Sequence, residues 1–123
     1  MKKIIAVDLD GTLSTQGSFP NIMDLTPNQL NKIYRDMKPN KKMIKFINDL
    51  ATKGHLIYIY TSRWDLYQDV TAKWLKKHGV KYEFFQMNKN YFDFIIDDKA
   101  INVADIQKDP KKFMGKINGQ SQK

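Results

Sequence analysis

A chain of 123 residues, 41% apolar and 28% charged, is long enough for one hydrophobic core and has the composition of a globular domain. It lacks any run of about 18 apolar residues, which excludes a predicted membrane span, and it has no cysteine, which excludes disulfides and thiolate metal sites. Its net charge of +8 favours anionic partners, although Lys41-Lys42, Lys76-Lys77 and Lys111-Lys112 fall beside helical apolar positions, where solvent-facing lysines are routine.

Met1-Lys2-Lys3 is basic, but the apolar stretch behind it is too short for a signal peptide and runs into Asp8. With no cysteine, this predicts a cytoplasmic protein. Ile4–Leu9 reads as a strand that ends on Asp8-Leu9-Asp10-Gly11-Thr12. Ser14–Asp24 is a loop rich in Gly, Ser, Pro and Asn. Thr26-Pro27-Asn28-Gln29 is a capping box with proline at the first helical position, followed at helical spacing by Leu30, Ile33, Tyr34 and Met37. Pro39 ends that helix, so residues 14–38 could act as a small lid. A second helix starts near Asn40, with Met43, Ile44, Ile47, Leu50 and Ala51 on one face and Gly54 as its left-handed cap.

His55–Tyr60 is a second strand, rich in β-branched and aromatic residues. A third helix runs from Asp65 to His78, with Leu66, Val70, Trp74 and Leu75 facing inward and Gly79 closing it. Tyr82–Gln86 is a weaker third strand and Phe94–Asp97 a fourth. Asn102 caps a short fourth helix. Residues 1–107 then form the domain, and 108–123 a basic tail expected to be partly disordered. The first, second and fourth strands are continuously apolar, as in a parallel sheet covered on both faces. The order of elements predicts an α/β fold with a doubly wound, Rossmann-like parallel sheet flanked by helices.

Open α/β sheets bind ligands at the carboxyl ends of their strands. The strands deliver Asp8 and Asp10, then Thr61-Ser62-Arg63, then Asp97-Asp98, with Lys89 in the loop before the last. Four carboxylates at one edge would repel unless a cation joined them, and an all-oxygen site suits a hard ion such as Mg²⁺. Thr61, backbone N–H groups near Ser62, and Lys89 are donors for a phosphate. Acids for a metal beside donors for an anion describe a phosphoryl-transfer site.

Asp8-Leu9-Asp10-Gly11-Thr12 resembles the D-x-D-G-T motif of the haloacid dehalogenase (HAD) superfamily. Thr61 at a strand end, Lys89, and the Asp97-Asp98 pair resemble its second, third and fourth motifs, in order, over roughly residues 3 to 100. The segments Lys53–Arg63, Trp74–Val80 and Ile96–Lys99 are similar to small, nearly capless HAD phosphatases, including capsule or sugar-phosphate enzymes and the phosphatase half of polynucleotide kinase/phosphatases. The resemblance implies an HAD-like fold with a minimal cap and a Mg²⁺-dependent phosphomonoester hydrolase. By it, Asp8 is the nucleophile that becomes an aspartyl-phosphate, and Asp10 the general acid and base. Thr61 and Lys89 hold the phosphoryl oxygens. The metal is held by Asp8, the Asp10 backbone and Asp97 or Asp98, with Asp98 favoured. Gly11, Thr12, Ser62 and Arg63 complete the substrate-binding set.

Other readings stand beside these. Arg63 reaches the substrate's anion or pairs with Asp65. His55 and His78 are structural, and Trp64 lies at the site rim. The substrate is a small phosphorylated molecule, a sugar phosphate or a nucleotide. The alternatives are a 3′-phosphatase for nucleic-acid ends, towards which the charge leans, and a non-catalytic phosphate- or nucleic-acid-binding module. No aromatic–basic RNA-binding motif or zinc-finger spacing is present. A minimal cap is also compatible with a homo-oligomer whose neighbour closes the site.

Overall fold

The computed structural model describes residues 2–17 and 22–119. Three short strands, β1 (Ile4–Val7), β2 (Leu56–Tyr60) and β3 (Phe84–Gln86), form a parallel sheet in the order β1-β2-β3. Its register pairs Val7 with Ile59 and Ile59 with Phe85, so the carboxyl ends of all three strands share one edge. Helices α1 (Pro27–Asp36) and α2 (Lys41–Thr52) connect β1 to β2, α3 (Gln68–Lys77) connects β2 to β3, and α4 (Val103–Lys108) and α5 (Pro110–Ile117) follow. This is an α/β architecture with a helix-flanked parallel sheet, consistent with a Rossmann-like fold. No described helix is long and apolar enough to cross a membrane.

The helix boundaries follow local chemistry. Thr26 and Gln29 form the reciprocal capping box, and the helix they open buries Leu30 and Tyr34 against α3. α1 is thus built into the core rather than standing off it. Asn40 caps α2, whose Met43, Phe46, Ile47 and Leu50 are buried against β2. Asn102 caps α4 as expected. Val7, Ile57 and Ile59 point into this core, as does Leu9 beyond the strand. On the opposite face Ile4, Ala6 and Phe84 are exposed, and Tyr58 and Tyr60 are half-buried.

Three features differ from the sequence reading. Phe94–Asp97 forms no strand: Phe94 and Ile95 are exposed and Ile96 fully so. Its apolar run is strand-like, but only residues 87–93 separate it from β3, too few for the helical crossover that usually joins parallel neighbours. β1 is therefore an edge of the described sheet. The third helix begins with a 3-10 turn, Asp65–Tyr67, which turns at about three residues rather than 3.6 and shifts the inward face. Leu66 is exposed, while Tyr67 and Thr71 join Trp74 and Leu75 inside. Finally, the start of the basic tail is ordered. Asp109 caps α5 and Pro110 opens it, and Phe113, Met114 and Ile117 pack against the core. The tail's last residues, 120–123, lie outside the described residues.

Candidate active site

Two acid–base pairs stand at the carboxyl edge of the sheet. Asp8 follows β1 directly, and one of its oxygens accepts from the Leu9 N–H at 2.8 Å. The Lys89 ammonium lies 3.3 Å from the same oxygen, and the Asp8 side chain remains 44% exposed. Lys89 reaches this position through a short loop held by hydrogen bonds. Asn88 takes the left-handed conformation, φ 62°, which asparagine tolerates better than most residues. Its N–H donates to the Arg63 carbonyl, and its side-chain oxygen accepts from the Asp65 N–H. The next N–H, of Lys89, donates to the Thr61 carbonyl at 2.8 Å. The lysine then passes over the Tyr60 ring, 4.4 Å from its centre, a cation–π contact that steadies the ammonium beside Asp8.

Thr61 is buried at the end of β2. Its hydroxyl oxygen accepts from the Arg63 N–H at 3.2 Å, which leaves its proton to donate.

Beyond β1 the chain leaves the extended state. Thr12, Leu13 and Ser14 all direct their N–H groups to the Leu9 carbonyl, so Asp10 lies in a tight turn. Gly11 has φ +79°, and a Cβ there would lie 2.8 Å from the Gly17 Cα, so glycine is required twice over. Asp10 accepts two hydrogen bonds from Arg63, 3.0 Å from Nε and 2.7 Å from Nη2. The third guanidinium nitrogen donates to Thr71 at 2.9 Å, and the group stacks 3.8 Å from the centre of the Tyr34 ring. The Arg63 side chain is 1% exposed. Burial pushes the Tyr34 hydroxyl up to about 12, with the nearby Arg63 charge opposing the shift and Asp10 adding to it.

The expected residues therefore divide. Asp8, Asp10, Thr61, Arg63 and Lys89 are linked by direct contacts. Arg63, however, is turned inward to Asp10, not outward to an anion and not to Asp65, because α1 and α3 wall its guanidinium in. Gly11 and Thr12 shape the turn, and Ser62 is exposed at its rim, as is Trp64. Asp97 and Asp98 lie in the exposed segment, where Asp97 accepts from the Lys99 N–H. Among the described residues no three His, Cys, Asp or Glu side chains gather to hold a metal ion. His55 is structural: its Nδ1 accepts from the Lys3 N–H, so Nε2 carries the proton and faces Asn118 Oδ1 at 2.7 Å. Tyr34, Tyr60, Thr71 and Asn88 were not legible as site residues. Only Asn88 carried a signal, an asparagine in a short polar loop where a left-handed turn is needed.

No family model matches the chain, and no curated protein matches it. Among solved structures, it is similar to a structural-genomics target from Vibrio cholerae. The TM-score is 0.68 at 22% identity, over 95% of this chain and 96% of the other. It is also similar to a chain of the Pnkp1/Rnl/Hen1 complex, with a TM-score of 0.58 at 19% identity, over 89% of this chain and 35% of that one. At these identities the likeness shows a shared fold.

Chemically, an exposed carboxylate beside an ammonium and a donor hydroxyl can receive a phosphate ester.

Proposed function

We propose that this protein is a phosphomonoester hydrolase of HAD type that acts through an aspartyl-phosphate on Asp8, with a sugar phosphate or nucleotide as substrate. The observation that carries this reading is the Asp8–Lys89 pair at the sheet's carboxyl edge, where the lysine and the Leu9 N–H both engage one oxygen of a half-exposed carboxylate and leave the other to face a ligand. Asp8 Oδ2 attacks phosphorus and the P–O bond to the leaving group breaks; water then attacks the phosphorus of the acyl phosphate and releases phosphate. Lys89 and Thr61 offset the charge on the equatorial oxygens. Asp10 is the candidate proton donor to the leaving oxygen and acceptor from water, a role that requires it to free one oxygen from Arg63.

Mg²⁺ belongs to this proposal. Asp8 and Asp98, or Asp97, are the residues that would hold it, and it would supply charge neutralisation between the carboxylate and the phosphate. In the described arrangement the acids near residue 97 are not gathered with Asp8, so this role needs the exposed segment to fold in. The unpaired edge of β1 offers it a place.

A panel of phosphomonoesters with Mg²⁺ tests the reading. Phosphate release that disappears in Asp8→Asn, and a Mg²⁺ requirement that weakens at least tenfold in Asp98→Asn, are the expected results. No release from any ester overturns it. The likeness to the Pnkp1/Rnl/Hen1 chain and the +8 charge favour one second reading, a 3′-phosphatase on nucleic-acid ends, so a 3′-phosphorylated oligonucleotide belongs in the panel.

A further inference from the structure

Beside the turn that carries the two acids lies a depression of about 560 Å³. Gly11 and Thr15 line it on the side of that turn, Asn40 from the start of α2, and Asn102 and Gln107 from the two ends of α4. Val103 and Ala104 supply a small apolar floor. In a chain with 21 lysines and arginines, no described lining residue is charged, and none is aromatic. Lys42, on α2, is bonded to the Gln107 carbonyl.

The amides are held in place from behind. Asn102 Oδ1 accepts from the Ala104 N–H at 2.8 Å, and Gln107 Oε1 accepts from Asn40 Nδ2 at 2.7 Å. Asn40 Oδ1 accepts in turn from the Met43 N–H at 3.3 Å. The first two bonds use the oxygens of Asn102 and Gln107 and leave their NH₂ groups to donate, while Asn40 is engaged through both its oxygen and its nitrogen.

Resting on the phosphatase reading, we infer that this depression receives the leaving group of the substrate, and that the group is an uncharged, hydroxyl-rich one, a sugar or polyol. The wall begins at Gly11, in the turn that follows Asp8, so the depression adjoins the acids and offers a place for the ester substituent of a phosphate bound there. Fixed NH₂ groups and the Thr15 hydroxyl match sugar hydroxyls, and the Val103–Ala104 floor matches the C–H face of a ring. Among the described lining residues a nucleobase finds no ring to stack on, and a polyanionic strand finds no charged side chain.

The test uses the full chain carrying Asp8→Asn, ¹⁵N-labelled, titrated with inorganic phosphate, glucose 6-phosphate, sorbitol 6-phosphate and a 3′-phosphorylated oligothymidylate. Side-chain NH₂ signals of Asn102 and Gln107 are assigned with Asn102→Ser, which keeps a helix cap, and Gln107→Met. The expected result is that both signals move with the sugar or polyol phosphate and not with inorganic phosphate, and that the double variant weakens that binding at least tenfold while leaving phosphate binding unchanged. Movement with the oligonucleotide alone, or identical responses to all phosphates, overturns the inference. Absence of any response at Lys89 and Thr61 to every phosphate overturns instead the phosphatase reading on which it rests.

Discussion

Arg63 holds both carboxylate oxygens of Asp10 in a two-pronged pair whose guanidinium is closed off from solvent by Tyr34 and Thr71. A like-charge cluster of acids was the sequence expectation at this edge. Instead each acid of the first turn has its own cation, Lys89 for Asp8 and Arg63 for Asp10. The exposed pair is available to a ligand, and the enclosed pair fixes the turn that presents it.

Removing Arg63 is therefore expected to cost folding stability before it costs anything else. Arg63→Met leaves Asp10 largely enclosed without its partner and should destabilise the protein by about 3 kcal/mol. Arg63→Lys keeps the charge but loses the fork, and should recover only part of this. Urea unfolding curves measure both. A loss within 0.5 kcal/mol of zero for Arg63→Met would refute the enclosed pair.

Lys89→Met should behave in the opposite way. Its partner Asp8 is half-exposed and can be solvated once the ammonium is gone, so the urea midpoint should move little. Binding of inorganic phosphate, followed by calorimetry or by the Thr61 amide signal, should fall at least tenfold. Equal affinity in the variant would mean that another cation holds the anion.

Asn88 tests the loop that aims Lys89. Asn88→Gly suits φ 62° and should be nearly neutral, whereas Asn88→Val forces a β-branched side chain into the left-handed region and should cost about 1–2 kcal/mol. The Val variant should also lose phosphate affinity through the displaced lysine. Retained affinity in a destabilised Val variant would separate the loop from the site.

The pH dependence follows from Tyr34. Its hydroxyl is raised to about 12 in the folded protein, chiefly by burial, against the ordinary 10. The folded state thus keeps a proton that the unfolded state gives up, and the associated stability is whole below pH 10 and lost as pH climbs from 10 to 12. Unfolding midpoints should fall across that interval, and Tyr34→Phe should flatten part of the fall. Tyrosinate absorbance should show one group titrating late in the wild type and absent in the variant. An unchanged slope in Tyr34→Phe would assign the alkaline loss to other groups.

What could be read from the chain was local. Caps at Thr26, Asn40 and Asn102, turns at Gly54 and Gly79, and the apolar bodies of β1 and β2 depend on neighbours within a few residues. Asp8 and Thr61 directly follow strand ends, which the apolar runs before them mark, whereas Lys89 stands three residues beyond β3 and owes its place to the turn at Asn88. Arg63 was misread because its environment is made by Tyr34 and Thr71, 29 residues before and 8 residues after it, and no spacing rule joins them. Phe94–Asp97 was misread for a complementary reason. Its composition says strand, but pairing depends on how far the chain must travel to find an edge. Asp109-Pro110 did announce α5, and the basic charge around it obscured the apolar positions that seat that helix.

The amide of Lys89 is tied to the carbonyl of Thr61, and the amide of Thr61 to the carbonyl of Gln86. Those two links lace the lysine and the threonine to neighbouring strands as one stiff unit. If the outer loops breathe, the spacing between hydroxyl and ammonium is carried along unchanged, so warming should loosen what surrounds a bound anion long before it loosens the grip itself.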